Sequence, residues 1–225
     1  MRNHKDIRRI STVFLVAVLL TGSGCEAENE PVVEDTAMVP DRPEMVRPLL
    51  PGMKAAPFSL TAADGSQYEF SPDALDRPVV LIFYRGGWCP YCTRHLASLR
   101  NVESEIIEMG YDVLFVSADR YEVIRESLQV EGVEYTLLAD NHLTAARDYG
   151  IAFRLDDATA ERYISGGADI EHASGETHHW LPVPAVFIVG RDGIIRFQYV
   201  NPNYRVRIQP ELLVTAASLA IADDA

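Results

Sequence analysis

The chain has 225 residues, 48% of them hydrophobic and 24% charged, with a formal net charge of −13. Such acidity argues against a nucleic-acid partner, which needs a basic face, and fits a solvated, soluble surface. The length behind any leader, about 200 residues, suffices for one domain with a sizeable core.

Residues 1–9 carry Arg2, Lys5, Arg8 and Arg9 against Asp6, a net +3, and an apolar run from Ile10 to Leu20 follows. Small residues Gly22, Ser23 and Gly24 then precede Cys25. A basic start, a short apolar stretch and small residues before a cut describe a secretory signal over 1–25. The run is too short for a bilayer core, which needs roughly 20 residues, so an uncleaved transmembrane helix is the weaker reading. Cys25 stands where bacterial lipoprotein signals place the acylated cysteine, although Gly22 replaces the usual Leu. Lipid attachment at Cys25 is expected, with cleavage and release to the periplasm as the alternative. Either route exports the protein to the periplasm or cell envelope, an oxidising setting, and any membrane contact would be through that anchor.

Residues 26–48 are rich in Glu, Asp, Pro and Val without periodicity, and Pro31, Pro40, Pro43 and Pro48 interrupt any regular element. They read as a flexible acidic tether. The folded domain is expected over 49–225. Phe58 to Leu60 and Gln67 to Phe70, joined through Asp64-Gly65, predict an N-terminal β-hairpin with a type I′ turn. Val79 to Tyr84 is a continuous apolar run suited to a central strand buried on both faces. Pro90 to Met109 predicts a helix, with Leu96, Leu99, Val102, Ile106 and Met109 at three- and four-residue steps and Gly110 ending it.

Further along, Asp112 to Ser117 is a second buried-type strand, with a helix over about 120–129. A short strand over Tyr135 to Ala139 and a helix over Leu143 to Tyr149 follow. Residues 151–183 read as a long irregular stretch, unusual enough to suggest a lid or partner surface. Ala185 to Val189 and Ile194 to Val200 form a closing hairpin around Arg191-Asp192-Gly193, and a last helix runs from about Pro210 to Ile221. No internal repeat is present. Alternating strands and helices predict an α/β sandwich with a central mixed β-sheet and helices on both faces. Its first three core strands would be parallel through right-handed crossovers, and the closing hairpin antiparallel.

The chemistry points to Cys89 and Cys92. With Cys89 at the cap and Pro90 at the first helical position, Cys89 meets the unpaired N–H groups and positive end of the helix. That setting stabilises a thiolate, so Cys89 should attack and the less exposed Cys92, one turn on, should resolve. A Cys-x-x-Cys pair also occurs in zinc sites, but these usually need a second ligand pair. Here no second cysteine pair exists, and neither a metal nor an organic cofactor is expected.

Arg85 reads either as a thiolate stabiliser or as a strand-end charge facing solvent. Trp88 reads as a shield over the sulfur or as plain packing. His178 and His179 are a proton shuttle or, more simply, loop histidines, and His95 reads as a surface residue.

Trp88-Cys89-Pro90-Tyr91-Cys92 after a buried strand resembles the thioredoxin superfamily. The longer Phe83-Tyr84-Arg85-Gly86-Gly87-Trp88-Cys89-Pro90-Tyr91-Cys92 is similar to the AhpC/TSA, peroxiredoxin-like branch. Leu181-Pro182-Val183-Pro184-Ala185-Val186-Phe187-Ile188-Val189 is a second match in the same order. The resemblance implies a thioredoxin-like fold over the domain, with Pro184 as a cis-proline facing the redox pair. It also implies reduction of a peroxide by a Cys89/Cys92 dithiol–disulfide cycle, restored by an external dithiol reductant. Two positions depart from the pattern. Gly86 stands where peroxiredoxins carry a Thr or Ser that helps hold the peroxide, and Phe83 where thioredoxins carry a buried acid. The Cys-Pro-Tyr-Cys core is also that of glutaredoxins, whose flanks differ. Two alternatives therefore stay open: a thiol-disulfide oxidoreductase acting on protein disulfides, and a copper-binding thioredoxin-like chaperone using Cys89, Cys92 and a His near Trp180.

Overall fold

The computed structural model describes residues 39–127 and 135–222. The signal, Cys25, residues 26–38 of the expected tether and the end of the helix expected over 120–129 lie outside them.

The N-terminal hairpin forms from β1 (Phe58–Ala62) and β2 (Gln67–Phe70). Its connection is wider than a two-residue turn. Gly65 donates to the Ala62 carbonyl, Ala62 donates to the Ser66 carbonyl, and Asp64 accepts from the Ser66 N–H at 2.9 Å. Gly65, at φ +89°, supplies the left-handed residue that ends such a turn.

The core strand β3 (Val79–Tyr84) is buried throughout and leads into helix α1 (Pro90–Glu108). Next come β4 (Asp112–Ser117), α2 (Tyr121–Ser127), β5 (Thr136–Ala139) and α3 (Thr144–Asp148). The stretch 151–183 is not irregular. It folds as β6 (Ala152–Arg154), α4 (Asp157–Ser165), α5 (Ile170–Ser174) and β7 (Trp180–Pro182). Both helices start on Asx caps, Asp156 accepting from the Thr159 N–H and Asp169 from the His172 N–H. β6 and β7 pair with each other as a separate two-stranded ribbon. The chain closes with β8 (Ala185–Val189), β9 (Ile195–Val200) and α6 (Pro210–Ala222).

Seven strands form one sheet in the order β2-β1-β5-β4-β3-β8-β9. β3, β4 and β5 are parallel, while β1 joins β5 and β8 joins β3 antiparallel. The expected mixed sheet is present, with the expected strand directions. Alternation along β3 divides the core. Val79, Leu81 and Phe83 pack on the face that also buries Ala145, Ala146, Ala160 and Ile170 of α3, α4 and α5. Val80, Ile82 and Tyr84 pack on the opposite face with Leu96 and Leu99 of α1, Ile124 of α2 and Leu213 and Ala217 of α6. A period of two in a strand buried on both sides requires this division.

Residues 39–48 are not a free tether. Val39 and Val46 pack against the core, Arg154 donates to the Pro40 carbonyl at 2.8 Å, and Arg47 donates to the Gly150 carbonyl at 3.0 Å. A Cβ on Gly150 would sit 2.0 Å from the Arg47 carbonyl oxygen, so only glycine lets this strap lie down. Pro43–Met45 form one 3-10 turn with proline at its start, flanked by extended Arg42 and Val46, so the prolines do not prevent docking.

Candidate active site

β3 ends at Tyr84, and Arg85-Gly86-Gly87-Trp88 carries the chain to Cys89, the N-cap of α1, with Pro90 at its first turn. Gly86 has φ +144°, and a Cβ there would lie 2.3 Å from Trp88 Nε1 and 2.4 Å from Asp119 Oδ1. No side chain fits, so the departure from Thr or Ser at this position has a steric cause. Phe83, the other departure, points away from the thiols; its ring lies 5.1 Å from Tyr149 and 6.0 Å from Phe187 in the core.

Cys89 and Cys92 are both free thiols and both buried, with 1% and 0% of their surface exposed. The expected contrast of an outward Cys89 and an inner Cys92 is therefore absent. Trp88 and Tyr91 pack against the apolar cluster that contains both cysteines. Their chemistry still differs sharply. The Cys92 thiol hydrogen-bonds the Cys89 sulfur, and Arg85 and the Cys92 and Tyr91 backbone N–H groups add to it, lowering the Cys89 pKa to about 6 against the effect of burial. The same hydrogen bond, with burial, pushes Cys92 strongly up. At neutral pH the pair is thus a Cys89 thiolate held by a protonated Cys92, one macroscopic unit sharing one proton.

Arg85 is 2% exposed, which rules out the strand-end charge facing solvent. Its guanidinium lies 4.4 Å from the Tyr204 ring, 5.1 Å from Trp88 and 5.3 Å from Tyr163, and donates to the Tyr163 hydroxyl at 3.1 Å. Aromatic faces compensate a buried cation, and three of them surround this guanidinium. Trp88 both packs and roofs this charge.

Pro184 precedes β8, whose Ala185 pairs with Phe83, so it sits level with the end of β3 where the thiols are. Its peptide bond is trans; no cis bond occurs among the described residues. Pro182 and Val183 continue the extended line of β7, Val183 donating to the Ile151 carbonyl at 2.8 Å. Trans is the form that X-Pro bonds ordinarily prefer.

The histidines also differ from their sequence reading. His95 is 8% exposed rather than a surface residue, and burial, then the Arg207 charge, lowers its pKa to about 4. His178 stacks on Trp180 at 4.8 Å, with its Nε2 3.0 Å from the Asn141 carbonyl and its Nδ1 accepting from the Trp180 N–H. Burial lowers its pKa. His179 is tied to Glu171 and Asp157. Both line a narrow crevice with Arg85 and Trp88, but their ring nitrogens are engaged elsewhere. Among the described residues no group of three or more His, Cys, Asp or Glu converges as a metal site.

Three site residues escape sequence reasoning: Asp119, Arg207 and Tyr204. Asp119, 1% exposed, accepts from the Gly87 N–H at 2.6 Å through Oδ2 and so fixes the Gly-Gly bend. Burial raises its pKa to about 6. Arg207 places Nη2 3.4 Å from Cys92 Sγ. Asp119 was the findable one: in parallel sheets, functional groups gather beyond the carboxyl ends of strands, and it lies two residues past β4. Arg207 and Tyr204, more than 100 residues from the thiols, left no local signal.

The chain has relatives. A family model for the AhpC/TSA family matches residues 51–198. The chain belongs to the AhpC/TSA family. Peroxiredoxin Bcp of Escherichia coli (strain K12) is 31% identical over 106 residues, 47% of this chain and 67% of that protein. The putative peroxiredoxin Rv2521 of Mycobacterium tuberculosis is 31% identical over 105 residues, 45% of this chain and 66% of that protein. Among solved structures, peroxidoxin BcpB of Mycobacterium tuberculosis superposes with a TM-score of 0.57 at 20% identity, covering 76% of this chain and 96% of that one. A cysteine-to-serine mutant of the peroxiredoxin 6 of Arenicola marina gives 0.61 at 20% identity, covering 78% and 75%. These likenesses establish the thioredoxin-like fold, and membership of the family makes the chain a thiol-based oxidoreductase of peroxiredoxin type.

Proposed function

We propose that this AhpC/TSA protein reduces hydroperoxides by a Cys89/Cys92 dithiol–disulfide cycle. The observation that carries the reading is the placement of the pair: Cys89 caps the start of α1 with the buried, ring-caged Arg85 acting on its sulfur, and Cys92 lies one turn on. The thiolate attacks the distal oxygen of the peroxide, the O–O bond breaks, and the departing oxygen takes up a proton as water or alcohol. Cys92 then attacks the sulfenic sulfur, forming the disulfide and releasing water with its own proton. An external dithiol supplies two electrons and restores the pair. Arg85 stands where the Thr or Ser hydroxyl cannot, as a cation able to hold the peroxide oxygens.

Consumption of hydrogen peroxide by the reduced full-length chain, compared with reduction of a model protein disulfide, tests this. Cys89→Ser should abolish peroxide consumption, and Cys92→Ser should leave a sulfenic acid detectable by dimedone trapping. Faster turnover of the protein disulfide than of peroxide would favour the thiol-disulfide oxidoreductase, a reading supported by the Cys-x-x-Cys spacing within one turn. A third ligand beside Cys89 and Cys92 would be needed for the copper-chaperone alternative; tight one-to-one copper binding by the reduced protein would revive it.

Export to the periplasm or envelope, with lipid attachment at Cys25, belongs to the same proposal. It is supported by the basic, apolar and small-residue order of 1–25. Incorporation of labelled palmitate into the wild type but not Cys25→Ser is the expected result; an unlabelled mature protein would mean release instead.

A further inference from the structure

A buried guanidinium is hard to hold in one orientation. That of Arg85 carries a fork of N–H donors, yet among the described residues no carboxylate pairs with it. The rings of Trp88, Tyr163 and Tyr204 surround it instead. A ring face attracts a cation placed over it without deciding where each N–H of the fork points. A hydrogen bond is directional and does decide it. Among the described residues Arg85 makes one such side-chain bond, from Nη2 to the Tyr163 hydroxyl at 3.1 Å, and its Nε has no partner.

Tyr163 belongs to α4, inside the stretch that reads as irregular in the sequence, and this helix is pinned at both ends. Asp156 caps its first turn. Its last turn closes with the Ala168 N–H on the Tyr163 carbonyl at 2.8 Å and the Gly167 N–H on the Ile164 carbonyl at 3.1 Å, a pattern that satisfies carbonyls at a helix end. Ala160 is wholly buried in the core, and Tyr163 and Ile164 pack against the same cluster, as positions three and four residues further on the same helix face should. The Tyr163 ring also lies 5.9 Å from that of Trp88. An anchored element outside the redox loop thus touches both the loop and its cation. Within the loop no hydroxyl side chain is possible at position 86, where a Cβ already collides with Trp88 and Asp119.

We propose that Tyr163 is a positioning residue for peroxide reduction: its hydroxyl orients the Arg85 guanidinium toward Cys89 and the incoming peroxide, so that α4 supplies the hydroxyl that Gly86 excludes from the loop. The proposal rests on the peroxidase reading above. Ring and hydroxyl have separate roles. The ring, with Trp88 and Tyr204, compensates the buried charge, and the hydroxyl directs the N–H groups left over for the peroxide oxygens. Tyr163 makes no bond to a reacting atom. Its loss leaves every bond change as it was and misplaces a donor that stabilises the departing oxygen, which raises the barrier.

Tyr163→Phe keeps the ring and removes the hydroxyl. In the reduced full-length chain, the rate of sulfenic-acid formation with hydrogen peroxide is compared with alkylation by iodoacetamide, read at Cys89 by mass spectrometry. Iodoacetamide requires the thiolate but no held peroxide. The peroxide rate constant should fall by about tenfold while alkylation, normalised to thiolate fraction, stays within about twofold. The Cys89 titration midpoint should rise, because the Arg85 charge is then less well placed. Arg85→Lys lacks the planar fork, so adding Tyr163→Phe to it should cost less than about twofold more. The Phe variant carries the test alone if Arg85→Lys does not fold.

Equal falls in the peroxide and alkylation rates would mean that α4 only supports the site, and unchanged rates would mean that the hydroxyl has no role; either result overturns the proposal. So would a further tenfold loss in the double variant, which would show Tyr163 acting without Arg85. The peroxidase reading fails separately. A wild type that consumes no peroxide, with a Cys89 midpoint that still rises in Tyr163→Phe, would leave Tyr163 positioning Arg85 for a different oxidant.

Discussion

Two aspartates end adjacent parallel strands of the sheet, and they have been put to different uses. Asp140 follows β5 and Asp119 lies two residues past β4; Ser117 and Ala139 are in register, and the Asp140 N–H donates to the Ser117 carbonyl at 2.7 Å. Both carboxyls are nearly wholly buried, and burial raises both pKa values, Asp140 to about 7 and Asp119 to about 6. Asp140 is fully engaged: Oδ1 accepts from the Ala145 N–H and Oδ2 from the Ala146 N–H at the start of α3. It satisfies a helix end that would otherwise be orphaned inside the protein. Asp119 accepts from the Gly87 N–H through Oδ2, and its carboxyl lies beside the Ser117 hydroxyl and the Trp88 indole. One position satisfies a buried helix start, while the other fixes the Gly-Gly bend that leads to Cys89.

The sharpest way to break that comparison is Asp140→Ala. It strands two buried N–H groups and should cost about 2–4 kcal/mol of stability, read as a fall in denaturant midpoint. Peroxide turnover per folded molecule should be little changed. If activity fell with no loss of stability, the division of labour would be wrong.

Next in size is the pH dependence of stability. A carboxyl whose pKa is raised in the folded state contributes stability below its unfolded pKa and loses it as pH rises through the folded value. For Asp119 the window runs from about 4 to about 6, with a slope of at most about 1.4 kcal/mol per pH unit. His95 acts in the opposite sense, since its lowered pKa withdraws stability as pH falls from 6.5 toward 4. The measurement is therefore a difference: Asp119→Asn should gain stability relative to wild type as pH rises from 4 to 6. A constant difference across that range would show Asp119 to be ordinary.

The smallest effect falls on the thiol itself. Asn at position 119 keeps an oxygen for the Gly87 N–H but removes a negative charge that faces Cys89. The Cys89 titration midpoint should move down from about 6, by roughly half a pH unit. Alkylation rate against pH would read it, and an upward move would contradict the assigned charge.

Most of the sheet was legible because apolar runs such as Val79 to Tyr84 are long and bounded by turn residues. Cys89 and Cys92 were legible because their neighbours Gly86-Gly87 and Pro90 mark a strand-to-helix bend. The stretch 151–183 misled for a physical reason: α4 and α5 are short, capped by aspartates and only partly buried, so no long periodic pattern develops. The strap at 39–48 misled because docking by backbone hydrogen bonds to a glycine leaves no hydrophobic period. Burial of the thiols and His95 depends on Tyr91, Tyr204 and Arg207 meeting across the fold, which local spacing does not encode.

The two tryptophans sit in unlike surroundings. Trp88 adjoins Cys89 and shares its roof with the Arg85 guanidinium, and Trp180 stacks on the His178 ring. The molecule thereby carries two built-in optical reporters. Emission from Trp88 should follow the oxidation state of the sulfurs, and emission from Trp180 should follow protonation of His178, each in real time and without an added label.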